Sequence, residues 1–406
     1  MATQRLRRRL VRQLIAEDAL HDPRWIDAFR TVPRHVFLPR FFTRAGDRWA
    51  AFDRSDPGWL DRVYSRDVLV TQLDDDSSLW EQARTCGPIP GEPTSSSSMP
   101  AIMAIMLEEL RVADGHRVLE IGTGTGYNAA LLSHRCGSGA VSTIDIDGEL
   151  VATARTHLRA AGYAPSTAVG DGTLGFPSGI LFDRVICTAA VSSVPLAWLE
   201  QTLPGGHIVT TLNRPLGAGL VRLTAGRGPT AHGRVLSRDG RFMPLRGHRL
   251  PPPPPLPTPP DSAWRRTRLP LEMVVTPRME FEFFASLELP GVRPVRDPAH
   301  SPAASTNAAD DPAPASGANS DPGHPRPGFI ALVAPDGSWA RYRTQGATLE
   351  VAQGGPRALW DLTENAYLLW DSLGRPTRSA FGLTLAGPEQ FFWLNDPDGR
   401  RWDLVP

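Results

Sequence analysis

The chain has 406 residues, 41% of them hydrophobic, and its 43 basic and 43 acidic side chains cancel to a formal net charge of zero. That length exceeds what one hydrophobic core usually organises, so more than one domain is expected. The charge balance excludes a general nucleic-acid binder, which carries a basic surplus, and no apolar run is long enough to span a bilayer. Three widely spaced cysteines, Cys86, Cys136 and Cys187, form neither a disulfide framework nor a C-x-x-C metal site, which fits a reducing cytoplasm.

Leu6, Leu10 and Leu14, with Val11 and Ile15, recur at helical spacing and predict an amphipathic helix over 3–18. Its arginines (Arg5, Arg7, Arg8, Arg9, Arg12) lie among solvated positions, and no apolar core or cleavage site follows to make it a targeting signal. Residues 1–115 are read as an N-terminal helical segment. Residues 116–248 then alternate apolar runs (117–121, 141–144, 182–188, 206–212) with helical stretches (about 127–135 and 149–161). Continuous apolar strands alternating with helices predict an α/β domain with a parallel sheet covered on both faces. The runs 219–224 and 233–237 predict an antiparallel hairpin closing the sheet's edge.

Residues 249–262 contain PPPPPLPTPP, which lacks backbone donors and reads as a stiff polyproline linker. Residues 263–406 are expected to form a smaller α+β accessory domain. It holds a hairpin of 329–333 and 338–343, a helix over 356–373 and strands at 381–385 and 390–394. Within it, about 291–327 is so poor in large apolar residues that disorder is expected. Trp339, Trp360, Trp370, Trp393 and Trp402 read as core.

The motif richest in chemistry is Val118-Leu119-Glu120-Ile121-Gly122-Thr123-Gly124-Thr125-Gly126, a buried strand running into a glycine turn that opens a helix. Such glycines permit φ > 0 and close approach of a ligand to the backbone. In open parallel sheets, ligands sit beyond the carboxyl ends of the strands where strand order reverses. A dinucleotide would call for G-x-G-x-x-G and a pyrophosphate at the helix N-terminus. The G-x-G-x-G spacing and the acid at Glu120 instead suit a cationic nucleotide without phosphate, S-adenosylmethionine, which leaves as S-adenosylhomocysteine. Asp145, at the next strand's end, is placed to accept the ribose hydroxyls, and Asp171, after the following strand, to receive the adenine amino group. The candidate cofactor set is Glu120, Gly122, Thr123, Gly124, Thr125, Gly126, Asn128, Asp145, Ile146, Asp171 and Gly172, with no metal.

From about residue 24 to 247 the sequence resembles the protein-L-isoaspartate O-methyltransferases. The resemblance rests on V-P-R-H-V-F-L-P (32–39), V-L-E-I-G-T-G-T-G-Y-N-A-A (118–130), I-D-I-D (144–147), V-G-D-G-T-L-G (169–175), F-D-R-V-I-C-T-A-A (182–190) and P-G-G (204–206). It implies a class I, Rossmann-like S-adenosylmethionine methyltransferase fold and carboxyl O-methylation. It also implies an active-site serine in a Ser-Gln-Pro element before the cofactor domain. Ser95-Ser96-Ser97-Ser98-Met99-Pro100 occupies that place. Ser98 is then the counterpart of the catalytic serine, Met99 replaces the glutamine, and Ser95, Ser96, Ser97 and Met99 are candidate substrate contacts. A plainer reading makes Ser98 the N-cap of the following helix.

Two departures stand out: an insert at 71–93 carrying Asp74-Asp75-Asp76, and the module beyond 248. The longer form looks like the branch associated with ribosomally made peptides, the lanthipeptides and ATP-grasp-crosslinked peptides (graspetides). That resemblance implies methylation of an aspartate in a modified, usually macrocyclic, precursor peptide, with collapse of the ester to an aspartimide. This is the expected function, ahead of isoaspartate repair and of a non-catalytic peptide-binding adaptor. A carboxylate of reference pKa about 4 is ionised at neutral pH and needs no general base. Ser98 would orient it, and His35, His116 and His207 are assigned no catalytic part.

Overall fold

The computed structural model describes residues 2–276, 280–296 and 329–404. Helix α1 (Ala2–Ala16) buries Leu6, Leu10, Val11 and Leu14, and α2 (Pro23–Thr31) buries Trp25, Ala28 and Phe29. Asp22 caps α2 by accepting from the Arg24 N–H at 2.8 Å. The chain then leaves helix for β1 (Arg40–Ala45), β2 (Arg48–Asp53), the short α3 (Trp59–Val63), β3 (Leu69–Leu73), α4 (Leu79–Cys86) and β4 (Pro93–Ser97). The four strands form an antiparallel sheet in the order β2-β1-β3-β4.

The expectation of a helical 1–115 therefore needs correcting. Phe41, Phe42, Trp49 and Phe52 are better suited to a pleated, half-buried surface than to a helix, and Gly46, at φ 68°, makes the turn between β1 and β2. The insert is structured as well. Trp80 and Ala83 of α4 pack with Phe42, Trp49, Val70, Leu73 and Ile89 in a small separate core. Helix α5 (Pro100–Glu109) leads out of the serine strand β4.

The next region follows the expected alternation: β5 (Val118–Ile121), α6 (Tyr127–Cys136), β6 (Val141–Asp145), α7 (Gly148–Ala160), β7 (Ser166–Val169), β8 (Phe182–Val191), α8 (Leu196–Glu200) and β9 (Thr202–Asn213). These five strands run parallel in the order β9-β8-β5-β6-β7. Strand order reverses between β5 and β8, which opens a crevice at their carboxyl ends. This is the class I, Rossmann-like methyltransferase architecture. Strands β10 (Ala218–Ala225) and β11 (Thr230–Val235) form the expected antiparallel hairpin.

That hairpin does not close the sheet, and here a second expectation fails. After β12 (Arg265–Thr267), α9 (Leu271–Val275), α10 (Glu280–Glu288), β13 (Arg293–Arg296), β14 (Phe329–Val333), β15 (Trp339–Gln345), β16 (Thr348–Gly354) and α11 (Leu359–Ser372), the chain returns as β17 (Phe381–Ala386), β18 (Glu389–Leu394) and β19 (Arg401–Asp403). Strand β17 pairs with β11, Gly233 opposite Leu383, so one sheet runs through ten strands as β19-β18-β17-β11-β10-β9-β8-β5-β6-β7. The physical reason is the open edge of β11, whose unpaired backbone groups need a partner. Phe381, Leu383 and Leu385 bury one face of that partner strand.

A single apolar cluster consequently extends from Leu119 and Ile121 to Trp402 and Leu404. Strands β12 to β16 form a separate five-stranded sheet that includes the expected β14–β15 hairpin. The polyproline stretch has no regular structure, and the Arg341 guanidinium donates to the Pro257 carbonyl at 3.2 Å. Of the segment expected to be disordered, 293–296 is strand β13, paired with β14, and 297–327 lies outside the described residues. Trp360, Trp370, Trp393 and Trp402 are buried and Trp339 is half-buried. No helix among the described residues is long and apolar enough to cross a membrane.

Candidate active site

Beyond the carboxyl ends of β5 and β8 lies a cleft of about 480 Å³. One wall is the glycine loop. Gly122 and Gly124 hold φ of 94° and 50°, and a Cβ on Gly122 would come within 2.9 Å of Thr188 Oγ1. Only glycine permits this path. Behind the loop Glu120 is fully buried, accepting from Asn128 Nδ2 at 2.8 Å and from Thr143 Oγ1 at 2.6 Å. Burial pushes its carboxyl up to about 7 against the pull of those two donors. Asn128 Oδ1 is buried without a partner and its residue lines the cleft. A carboxylate beside an orphaned acceptor calls for a donor-rich cation.

Asp145, at the end of β6, accepts from the Gly124 N–H at 2.9 Å and the Asp147 N–H at 3.2 Å. Burial nevertheless raises its pKa. Ile146 follows it as an exposed apolar side chain at the cleft's rim. Asp171 and Gly172 face a smaller adjoining pocket of about 40 Å³ that shares Gly122, Asp145 and Ile146 with the main cleft. Asp171 also accepts from the Thr173 N–H at 2.9 Å.

Strand β4 forms the opposite wall. The hydroxyls of Ser95 and Ser97 are already bonded, to Thr71 Oγ1 at 3.2 Å and Arg34 Nη2 at 3.4 Å, and both residues are buried. Both residues nonetheless line the cleft, and in these bonds their hydroxyl oxygens accept. The half-buried Ser96 and Ser98 keep hydroxyls with no hydrogen bond among the described residues. The N-cap position of α5 is Met99, so Ser98 does not cap that helix. Met99 (44% exposed) and Val68 (53% exposed) make an apolar lip where the family pattern has a polar glutamine.

Sequence reading missed two parts of this site. Arg34 is fully buried beneath the serine strand, donating to the carbonyls of Val63 (2.9 Å), Ser65 (3.2 Å) and Ser98 (3.2 Å). Burial lowers its pKa to about 10. Its place in V-P-R-H was the available signal. The second part is the segment 239–249, which crosses the carboxyl end of β8. The Ala190 N–H donates to the Met243 carbonyl and the Leu245 N–H to the Ala190 carbonyl, both at 2.9 Å. Arg246 bonds Asp147 at 2.7 Å and Arg249 bonds Asp75 at 3.0 Å, so the insert reaches over the cleft rim. No motif announces this segment.

Gly126 lies outside the cleft. A Cβ there would press on Ala154 Cβ at 3.2 Å, so this glycine permits the close packing of α6 on α7. His35, His116 and His207 do not line the cleft either. His207 is pushed down to about 4 by burial and by Arg184 and Arg222. Among the described residues no group of three His, Cys, Asp or Glu side chains is placed to hold a metal ion.

The sequence profile of the protein-L-isoaspartate(D-aspartate) O-methyltransferase family matches residues 78–230. A protein-L-isoaspartate O-methyltransferase of Methylorubrum populi is 39% identical over 167 residues, covering 40% of this chain and 76% of the relative. The chain belongs to the protein-L-isoaspartate O-methyltransferase family. It is an S-adenosylmethionine-dependent carboxyl methyltransferase, and the cleft's fit to a cationic donor agrees with that chemistry.

Protein-L-isoaspartate O-methyltransferase 2 of Shewanella sediminis is 32% identical over 248 residues, with 61% of this chain and 85% of that relative covered. A solved structure of a protein-L-isoaspartate O-methyltransferase aligns at a TM-score of 0.52 and 20% identity, over 96% of this chain and 100% of its own. The region beyond 248 thus has a counterpart in a family fold.

Proposed function

We propose that this methyltransferase esterifies the free carboxylate of L-isoaspartyl or D-aspartyl residues in proteins or peptides, the repair chemistry of the family. The observation that carries the reading is one cleft with the unbonded Ser98 hydroxyl on one wall and the acids of β5 and β6 on the other. S-adenosylmethionine supplies a methyl group on a cationic sulfur. Glu120 and Asn128 Oδ1 would hold its ammonium, Asp145 its ribose and Asp171 its adenine amino group, with Ile146 against the base. Each carboxylate oxygen already engaged by the protein keeps a second lone pair for this purpose.

Ser98 would donate its hydroxyl to the acceptor carboxylate and fix its orientation. Arg34 holds the Ser98 carbonyl and so sets the loop. No proton has to leave an already ionised carboxylate, and positioning inside a site that excludes water carries most of the acceleration.

Met99 and Val68 favour a second reading, in which the acceptor is an ordinary aspartate in a constrained precursor peptide whose ester closes to an aspartimide. Mass spectrometry separates the two. The protein, donor and three peptides (isoaspartyl, linear aspartyl, macrocyclic aspartyl) are incubated together. Gain of a methyl ester on the isoaspartyl peptide alone supports repair. Methylation of the macrocycle alone, followed by loss of methanol, replaces it with the second reading.

A further inference from the structure

The cleft's two ends are chemically distinct. Asp145, Ile146 and the neighbouring Asp171 mark the nucleotide end, where Arg246 and Arg249 are tied to Asp147 and Asp75. At the other end Arg241 lines the cleft and is 36% exposed. It adjoins Gly240, whose Cβ would lie 3.1 Å from Ile102 on the first turn of α5, the helix that leaves the Ser98 loop. Arg241 is therefore on the acceptor side.

Its guanidinium is partly engaged. Nε donates to Asp239 at 3.0 Å, and Nη2 donates to both oxygens of Glu282, at 2.7 and 2.6 Å. Nη1 has no partner among the described residues. Glu282 belongs to α10 of the accessory region and is 1% exposed. Arg378, 3% exposed, lies 3.3 Å from Glu282 and 2.7 Å from Asp239. Asp239, Glu280 and Glu282 with Arg241 and Arg378 make a charge cluster whose buried members, Glu282 and Arg378, back Arg241 where it lines the cleft with one donor nitrogen unengaged. A planar fork held on two of its sides is preorganised to take a carboxylate on the third.

We propose that Arg241 Nη1 receives the acceptor carboxylate, on the oxygen that does not take the methyl, and that Glu282 is the positioning residue that holds Arg241 for this role. The inference rests on carboxyl methylation of an isoaspartyl residue as proposed above. The acceptor gains an O–CH3 bond as the methyl–sulfur bond breaks, the negative and positive charges cancel, and no proton moves. Arg241 stays protonated throughout. Once the carboxylate becomes a neutral ester the charge-assisted bond is lost, which favours release of product over substrate.

The test uses the full-length protein saturated with S-adenosylhomocysteine and calorimetric titration of two peptides, an isoaspartyl peptide and its carboxamide twin. A charge-assisted bond predicts that the wild type binds the carboxylate about tenfold or more tightly than the amide. Arg241→Met should bring that ratio close to one, and Arg241→Lys should restore part of it. Affinity for S-adenosylhomocysteine should hold in both and report that the fold is intact. Glu282→Gln should raise the peptide KM while kcat changes little. An Arg241→Met protein that keeps the wild-type ratio overturns the proposal and leaves the substrate reading standing. A wild type that does not distinguish the twins overturns both.

Discussion

At the scale of single residues the site separates into groups that hold and groups that touch. Ser98 is the residue that aligns with the family's active-site serine, and its hydroxyl has no hydrogen bond among the described residues. Ser98→Ala should lower kcat by about tenfold or more, about 1.4 kcal/mol of barrier, with donor affinity nearly unchanged. Equal turnover in a methyl-transfer assay would remove Ser98 from the site. Glu120 gives a prediction in pH. Its folded pKa of about 7 lies above the ordinary 4.5 because burial disfavours the charge. Its contribution to the stability of the cofactor-free protein is therefore complete below about 4.5 and is lost as pH rises through about 7. A bound cation reverses the preference, so donor affinity should rise as pH passes through that range. Glu120→Gln should flatten the slope in calorimetry; a slope that survives the substitution assigns the proton to another group.

At the scale of elements the packing of strand ends decides how the loops sit. Gly172 lies against the last residue of β5, and a Cβ there would fall 2.5 Å from Ile121 Cγ2. Gly172→Ala should cost about 1–3 kcal/mol through overpacking, read as a lower melting temperature, and Ile121→Ala should recover part of the loss. A melting temperature unchanged by Gly172→Ala would show that the contact yields freely. The parallel strands were legible in the sequence because burial on both faces writes them as unbroken apolar runs. Glu120 was legible as the acid within the first such run before the glycine turn, Asp145 as the residue that follows the second, and Asp171 from the V-G-D-G motif, since β7 is not an apolar run. The sheet of β1 to β4 was not, since Arg40, Arg44 and Arg48 interrupt its aromatic pattern. Residues 381–385 were readable as a strand, but their pairing with β11 was not, because register between distant segments leaves no local trace. Arg241 was missed for a related reason. Its role comes from the anchoring of its segment at Ala190 and from Glu282, far along the chain.

At the scale of the whole molecule the accessory region and the cofactor domain share a sheet, an apolar cluster and the Asp239–Arg241–Glu282–Arg378 charges. Cutting the chain after residue 262 would bare the edge of β11 and strip Phe283 from its contact with Gly219, 3.0 Å from where a Cβ would sit. Such a fragment should aggregate, and the intact protein should unfold in one calorimetric transition. A soluble fragment with full donor affinity would show that the two regions are energetically separate. The same pairing bears on biosynthesis. Translation delivers Gly233 of β11 well before its partner Leu383 leaves the ribosome, so the nascent sheet spends that interval with a sticky border exposed. Expression in a foreign host should then depend on elongation speed and on chaperones able to shield the border until the last strands arrive.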